Sequence, residues 1–132
     1  MTSGLLDTSV FIAREAHRRL GPLPDRVAVS VVTLGELELG VLAASDPDVL
    51  SRRAGTLALA READPIPVNE AVMSAWARLV VDCRRTGIHR TVKLTDALIA
   101  ATAVVHGLPV VTQDQDFRAI GIAHSSLRVI EV

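Results

Sequence analysis

The stretch Gly4-Leu5-Leu6-Asp7-Thr8-Ser9-Val10-Phe11-Ile12-Ala13 decides the fold. Its apolar start reads as the end of a buried strand, and Val10 to Ala13 opens a helix, so Asp7 falls where strand hands over to helix. In an open α/β sheet, ligands bind in the crevice outside the carboxyl ends of the strands. One acid at such a point says little. Three later stretches, around Glu36, Asp96 and Asp114, put another acid at a comparable turn or helix start.

Outward from that stretch, strands and helices alternate. The first helix is predicted from Ser9 to about Leu20, followed by the loop Gly21-Pro22-Leu23-Pro24-Asp25. Val27 to Ser30, running on toward Val32, is rich in β-branched residues and reads as a second strand. Thr33-Leu34-Gly35-Glu36 has the spacing of a capping box that opens a helix. Asp46-Pro47 starts another, with Asp46 as N-cap and Pro47 at the first helical position, running to about Ala63. Ile66-Pro67-Val68 is a short strand, its prolines favouring an edge. Asn69 caps a helix whose Val72, Trp76, Leu79, Val80 and Cys83 recur at three- and four-residue spacing until Gly87 ends it. A basic connector leads into an Ala-rich helix from Leu94 to His106 that carries Asp96. Val110 to Thr112 is a buried strand, Gln113 to Phe117 opens a last short helix, and Leu127 to Val132 is a final strand. Such alternation argues for a parallel sheet with helices on both faces. With no repeat, low-complexity tract or linker, residues 1–132 read as one domain.

Composition narrows the function classes. Hydrophobic residues make up 49% of the 132, which is globular rather than disordered. Met1-Thr2-Ser3-Gly4 shows no signal peptide, and the most apolar run, Ala97 to Val105, is too short to span a bilayer. The lone Cys83 forms no internal disulfide and reads as a buried small hydrophobe. The expectation is a cytoplasmic protein without a membrane partner. A net charge of −1 lacks the basic footprint of a nucleic-acid binder. If Asp7, Glu36, Asp96, Asp114 and Asp116 form one cluster neutralised by a cation, removing those five charges leaves the remainder at +4.

Each acid also has a local structural use. Asp7 and Asp114 are placed to cap the helices that follow them, Glu36 completes the box begun by Thr33, and Asp96 suits the macrodipole in the first turn of its helix. Taken together they mean more. Parallel strands deliver their carboxyl ends to one edge, so residues following Leu6 and Thr112 converge if those strands are neighbours. Carboxylates about 4 Å apart repel by roughly 4 kcal/mol per pair at an effective dielectric near 20. A divalent cation is the usual reason to hold them together, and oxygen-only ligation suits Mg²⁺ or Mn²⁺.

At these residues the chain resembles the PIN-domain ribonucleases, specifically VapC-type toxins of bacterial toxin–antitoxin modules. The matching stretches are Leu6-Asp7-Thr8-Ser9, Ser30 to Leu37, Leu94 to Ala101 and Val111 to Phe117, in the family's order and roughly its spacing. The resemblance implies a three-layer α/β/α sandwich around a parallel sheet of five strands. It also implies a metal-dependent endoribonuclease acting on RNA such as tRNA or rRNA, with Asp7, Glu36 and Asp96 as the acidic core. The fourth acid is Asp114, with Asp116 as the alternative. Asp7 and Asp96 are then direct ligands, Glu36 holds a second metal or orients water, and Thr8, Ser9 and Thr112 support the carboxylates. Partners implied by the family are a VapB-type antitoxin and a second copy of the chain. For partner contact the apolar Phe11, Ile12, Val41 and Leu42 on the first helices are the expectation.

Arg84, Arg85, His89, Arg90 and Lys93 flank the Asp96 helix and are candidates for RNA phosphates, or form a solvated run at a helix end. Aromatic residues are confined to Phe11, Trp76 and Phe117, which argues against recognition by base stacking. The four histidines lack metal-ligand spacing. An aspartyl phosphotransferase is disfavoured because Ser9 stands where a second aspartate is expected. A phosphoacceptor receiver domain is disfavoured because no lysine follows Lys93. The alternative that stays open is a non-catalytic, metal-stabilised module that binds RNA or protein through the same ligands.

Overall fold

Leu5 and Leu6, adjacent on the central strand, feed opposite cores. The computed structural model describes residues 1–132 and contains β1 (Ser3–Leu6), α1 (Thr8–Glu15), β2 (Arg26–Val29), α2 (Val31–Leu42), α3 (Pro47–Arg61), α4 (Glu70–Arg85), α5 (Leu94–Val105), β3 (Val110–Thr112), α6 (Asp116–Ala123) and β4 (Val129–Glu131). The strands form one sheet in the order β2-β1-β3-β4, all pairs parallel. Side chains alternate across the sheet. Leu5 and Val110 therefore join Leu79, Cys83, Ile99, Phe117 and Ile120 on the face covered by α4, α5 and α6. Leu6, Val29 and Val111 join Val10, Phe11, Leu37 and Leu57 on the face covered by α1, α2 and α3. The result is the three-layer α/β/α sandwich.

The sheet has four strands rather than five. Ile66 reaches Ser30 only as a single bridge, its N–H donating to the Val29 carbonyl at 2.8 Å and its carbonyl accepting from the Val31 N–H at 3.0 Å. Ile66 turns both its N–H and its carbonyl to β2, so Pro65 and Pro67 face the outer edge, where no N–H is needed, and Asp64 leaves the extended conformation on one side with φ 49°. β1 packs tightly in the middle. A Cβ at Gly4 would lie 2.6 Å from Val111 Cγ2 and 2.9 Å from Pro24 Cγ.

Two helix boundaries differ from the sequence reading. α1 stops at Glu15, and His17 takes a left-handed backbone (φ 56°) while the Arg18 N–H reaches back to the Ala13 carbonyl at 2.8 Å. This is a Schellman-type stop in which histidine occupies the place usually held by glycine. At α2 the cap is Ser30, whose Oγ accepts from the Val32 N–H, so Thr33 lies inside the helix and no capping box forms with Glu36. Asp46 and Asn69 cap α3 and α4 as expected. Phe11, expected at a partner surface, is buried, whereas Ile12 and Leu42 are exposed. Trp76 packs against the core beside Cys83.

Strand order places the crevice. From β1 the chain moves to β2 on one side and returns to β3 on the other, so the switch point lies between β1 and β3. Asp7 follows β1 and Thr112 ends β3 at that edge, tied by the Asp7 N–H donating to the Val111 carbonyl at 2.9 Å.

Candidate metal centre

Asp7 is only 3% exposed and serves two ends at once. Its Oδ2 accepts from the Ser9 N–H at 3.3 Å, capping α1, and from the Thr112 hydroxyl at 3.0 Å. The Thr112 proton being committed to Asp7, the same hydroxyl must accept from Ser9 Oγ, 3.1 Å away, and from the Asp114 N–H at 2.8 Å. Ser9 Oγ in turn accepts the Gln113 N–H at 3.0 Å. A directed relay thus runs from Gln113 through Ser9 and Thr112 to Asp7, fixing that carboxylate with the end of β3.

Glu36 arrives from α2. The Thr8 hydroxyl donates to its Oε1 at 2.6 Å, and the Thr33 hydroxyl lies 3.1 Å from that of Thr8. The Thr8 hydroxyl is the donor to both, its proton shared between the close Glu36 carboxylate and the more distant Thr33 oxygen. Thr8, the first residue of α1, is thus what orients the acid of α2.

Asp96, on the first turn of α5, is 6% exposed, and its Oδ2 is buried without a hydrogen-bond partner. Burial above all, then the charges of Asp7, Asp114 and Glu36, push its carboxyl up to about 7 against the opposing charge of Lys93. Asp114 lies one residue before Gln115, the N-cap of α6, and its Oδ1 accepts the Asp116 N–H at 3.0 Å across the turn that leads into the helix. Asp96, Asp114 and Asp116 each bring a carboxylate oxygen within 4.8 Å of the others. The structure thus gathers all five acids at one sheet edge, with both Asp114 and Asp116 beside Asp96. A buried, partnerless carboxylate oxygen facing further acids fits a hard cation, because oxygen ligands and net negative charge are what such ions require.

The PIN-domain family model matches residues 4–123. The chain belongs to the PIN-domain family. This PIN domain is 67% identical over 102 residues to Ribonuclease VapC8 of Mycobacterium tuberculosis, a match covering 77% of this chain and 91% of the relative. It is 45% identical over 132 residues to Ribonuclease VapC5 of the same organism, covering 98% and 96%. The crystal structure of VapBC-5 from M. tuberculosis, a member of the VapBC family of toxin–antitoxin systems, superposes with a TM-score of 0.86 at 42% identity over the full length of both chains.

Of the basic residues singled out in the sequence, Lys93 is near enough for its charge to be felt at Asp96. Arg84, Arg85, His89 and Arg90 are exposed around the end of α4, with Arg85 3.9 Å from Asp82. The sequence reading missed Arg18. In this PIN domain it lines an open crevice of about 470 Å³ whose other lining residues, Ser9, Gln113, Asp114, Gln115 and Asp116, are all polar or charged. No turn residue marks the end of α1 before Gly21, so Arg18 looked like one more helical position. No helix of the PIN domain is long and apolar enough to cross a membrane.

Proposed function

We propose that the protein is a metal-dependent endoribonuclease, the toxin of a toxin–antitoxin module, which hydrolyses RNA phosphodiester bonds at the acid cluster. The observation that carries this reading is the partnerless, buried Oδ2 of Asp96 set against Asp7, Glu36 and Asp114. Neutral packing has no use for such an atom. The similarity to VapC ribonucleases supports RNA as the substrate, and the VapBC relative supports a VapB-type antitoxin as partner. Mg²⁺ or Mn²⁺ would be held there by Asp7, Asp96, Glu36 and Asp114, with Asp116, whose carboxylate also lies within reach of Asp96 and Asp114, as the alternative fourth acid. Bound there, a divalent ion supplies Lewis-acid stabilisation of charge on the phosphate and acidifies a water for attack.

The protein's own residues supply the positioning. Asp7 and Asp96 are rigid because they sit at the junctions of packed elements. Thr112 holds one oxygen of Asp7, which leaves Oδ1 free of hydrogen bonds and open to a cation. Glu36 is more exposed, keeps Oε2 unengaged, and orients the incoming water. Lys93, at the start of α5, sits at the cluster's edge where it meets RNA phosphate, and the Arg84–Arg90 run extends that basic margin.

The test is cleavage of mixed tRNA and rRNA in Mg²⁺ or Mn²⁺, comparing wild type, Asp7→Ala and EDTA. Loss of cleavage in both controls is the expected result. Cleavage that persists in Asp7→Ala would sink the assignment of the site. Metal binding without cleavage of any RNA would favour the non-catalytic module.

A further inference from the structure

The crevice beside the acid cluster carries one cation with nothing to hold. Arg18 shares its lining with Asp114 and Asp116, yet its guanidinium comes within 4.0 Å of no carboxylate and makes no hydrogen bond. Its backbone, by contrast, is fixed on both sides. The left-handed turn at His17 and the bond from the Arg18 N–H to the Ala13 carbonyl hold it from one direction. From the other, the Gln113 side chain donates to the Arg19 carbonyl at 2.8 Å and to the Val132 carbonyl at 3.2 Å. Gln113 is also the residue whose N–H starts the relay to Asp7, so the arginine's anchor and the acids' anchor are one residue. None of the six lining residues is apolar, and the crevice opens directly from the acids.

A fixed backbone carrying an unengaged guanidinium, opposite a cluster that takes a cation, suits a ligand with regularly spaced negative charges. We infer that Arg18 grips a phosphate of the RNA strand adjacent to the phosphodiester at the acid cluster, and so sets the register of the strand across the site. Guanidinium matches two phosphate oxygens at once, which a lysine cannot do. Arg18 is a positioning residue in this scheme. The inference rests on the nuclease reading above and adds a substrate contact in the crevice that holds Asp114 and Asp116.

Binding of a labelled single-stranded oligoribonucleotide tests it by fluorescence anisotropy across a salt series. Ca²⁺ replaces Mg²⁺, so that the acids are neutralised while the looser Ca²⁺ coordination disfavours hydrolysis. Arg18→Ala is expected to weaken binding about tenfold at low salt. It should also flatten the slope of log K against log salt by about 0.7, one single-strand contact. Arg18→Lys should keep the slope and lose part of the affinity, and in Mg²⁺ both variants should raise KM more than they lower kcat. Wild-type binding with an unchanged slope in Arg18→Ala would overturn the role of Arg18 alone. Absence of salt-dependent binding by wild type would overturn the nucleic-acid reading, and this inference with it. Thermal melting of each variant separates either outcome from misfolding.

Discussion

The hydroxyl of Thr112 and the carboxylate of Asp7, 105 residues apart in the chain, meet at 3.0 Å inside the buried junction of β3 and β1. One side chain thereby fixes the acid, receives the Ser9 hydroxyl and accepts the Asp114 N–H. Thr112→Val keeps the shape and removes all three functions, leaving buried polar groups without partners. A loss of about 1–3 kcal/mol is expected, read as a lower urea midpoint at constant slope. Thr112→Ser should recover most of it, together with cleavage. A valine variant as stable and as active as wild type would mean that Asp7 is held by the Ser9 N–H alone.

Asp96 makes the metal-free protein pH-dependent. Its folded carboxyl is raised to about 7 from 3.8, first by burial and then by Asp7, Asp114 and Glu36. Between those values the folded state keeps a proton that the unfolded state has released. The stabilising contribution is therefore complete below about pH 4 and is lost as pH rises through 7. Asp96→Asn mimics the protonated form. In EDTA at pH 8 it should be at least as stable as wild type, with a flatter pH profile between 4 and 7, while losing cleavage. A marked loss of stability in that variant would make Asp96 a structural residue.

How much of this was legible in the sequence depends on the range of the interactions. Asp46-Pro47 and Asn69 cap their helices through bonds spanning two or three residues, and local chemistry predicts them. Convergence of Asp7, Asp96 and Asp114 followed from one topological rule, that parallel strands present their ends together. Ser30 and Thr33 are both competent caps, and Thr8, from another element, decides between them by engaging Thr33. The Ser9–Thr112 relay needs the β1–β3 register, which no local pattern encodes. Arg18 was hidden because α1 ends without glycine or proline.

Glycine-to-alanine changes should have opposite signs at two sites. Gly55 lies within α3, is exposed, and a Cβ there meets nothing within 4 Å. Gly55→Ala should stabilise by about 0.5–1 kcal/mol through helix propensity and the narrower unfolded ensemble. Gly87 has equally open surroundings but follows α4 at φ 78°, where an alanine Cβ is strained. Gly87→Ala should cost about 1–2 kcal/mol. Chemical denaturation of the two variants checks this, and a shift of the same sign in both would contradict the helix-end geometry.

Protons and cations compete for the same oxygens, so metal stabilisation should depend on pH. With its carboxyl near 7 in the metal-free state, Asp96 is largely protonated at pH 5.5 and largely ionised at pH 8. Mg²⁺ or Mn²⁺ bound only by the folded protein stabilises it by about 2.7 kcal/mol at a hundred times the Kd. The rise in Tm at millimolar metal should be larger at pH 8 than at pH 5.5, reversed by EDTA and strongly reduced in Asp96→Asn. Cleavage should fall on the acid side, with an inflection that moves to lower pH as metal concentration rises, because the cation displaces the proton. An inflection independent of metal would place the titrating group outside the metal site. Equal Tm shifts at both pH values would mean that Asp96 is not a ligand.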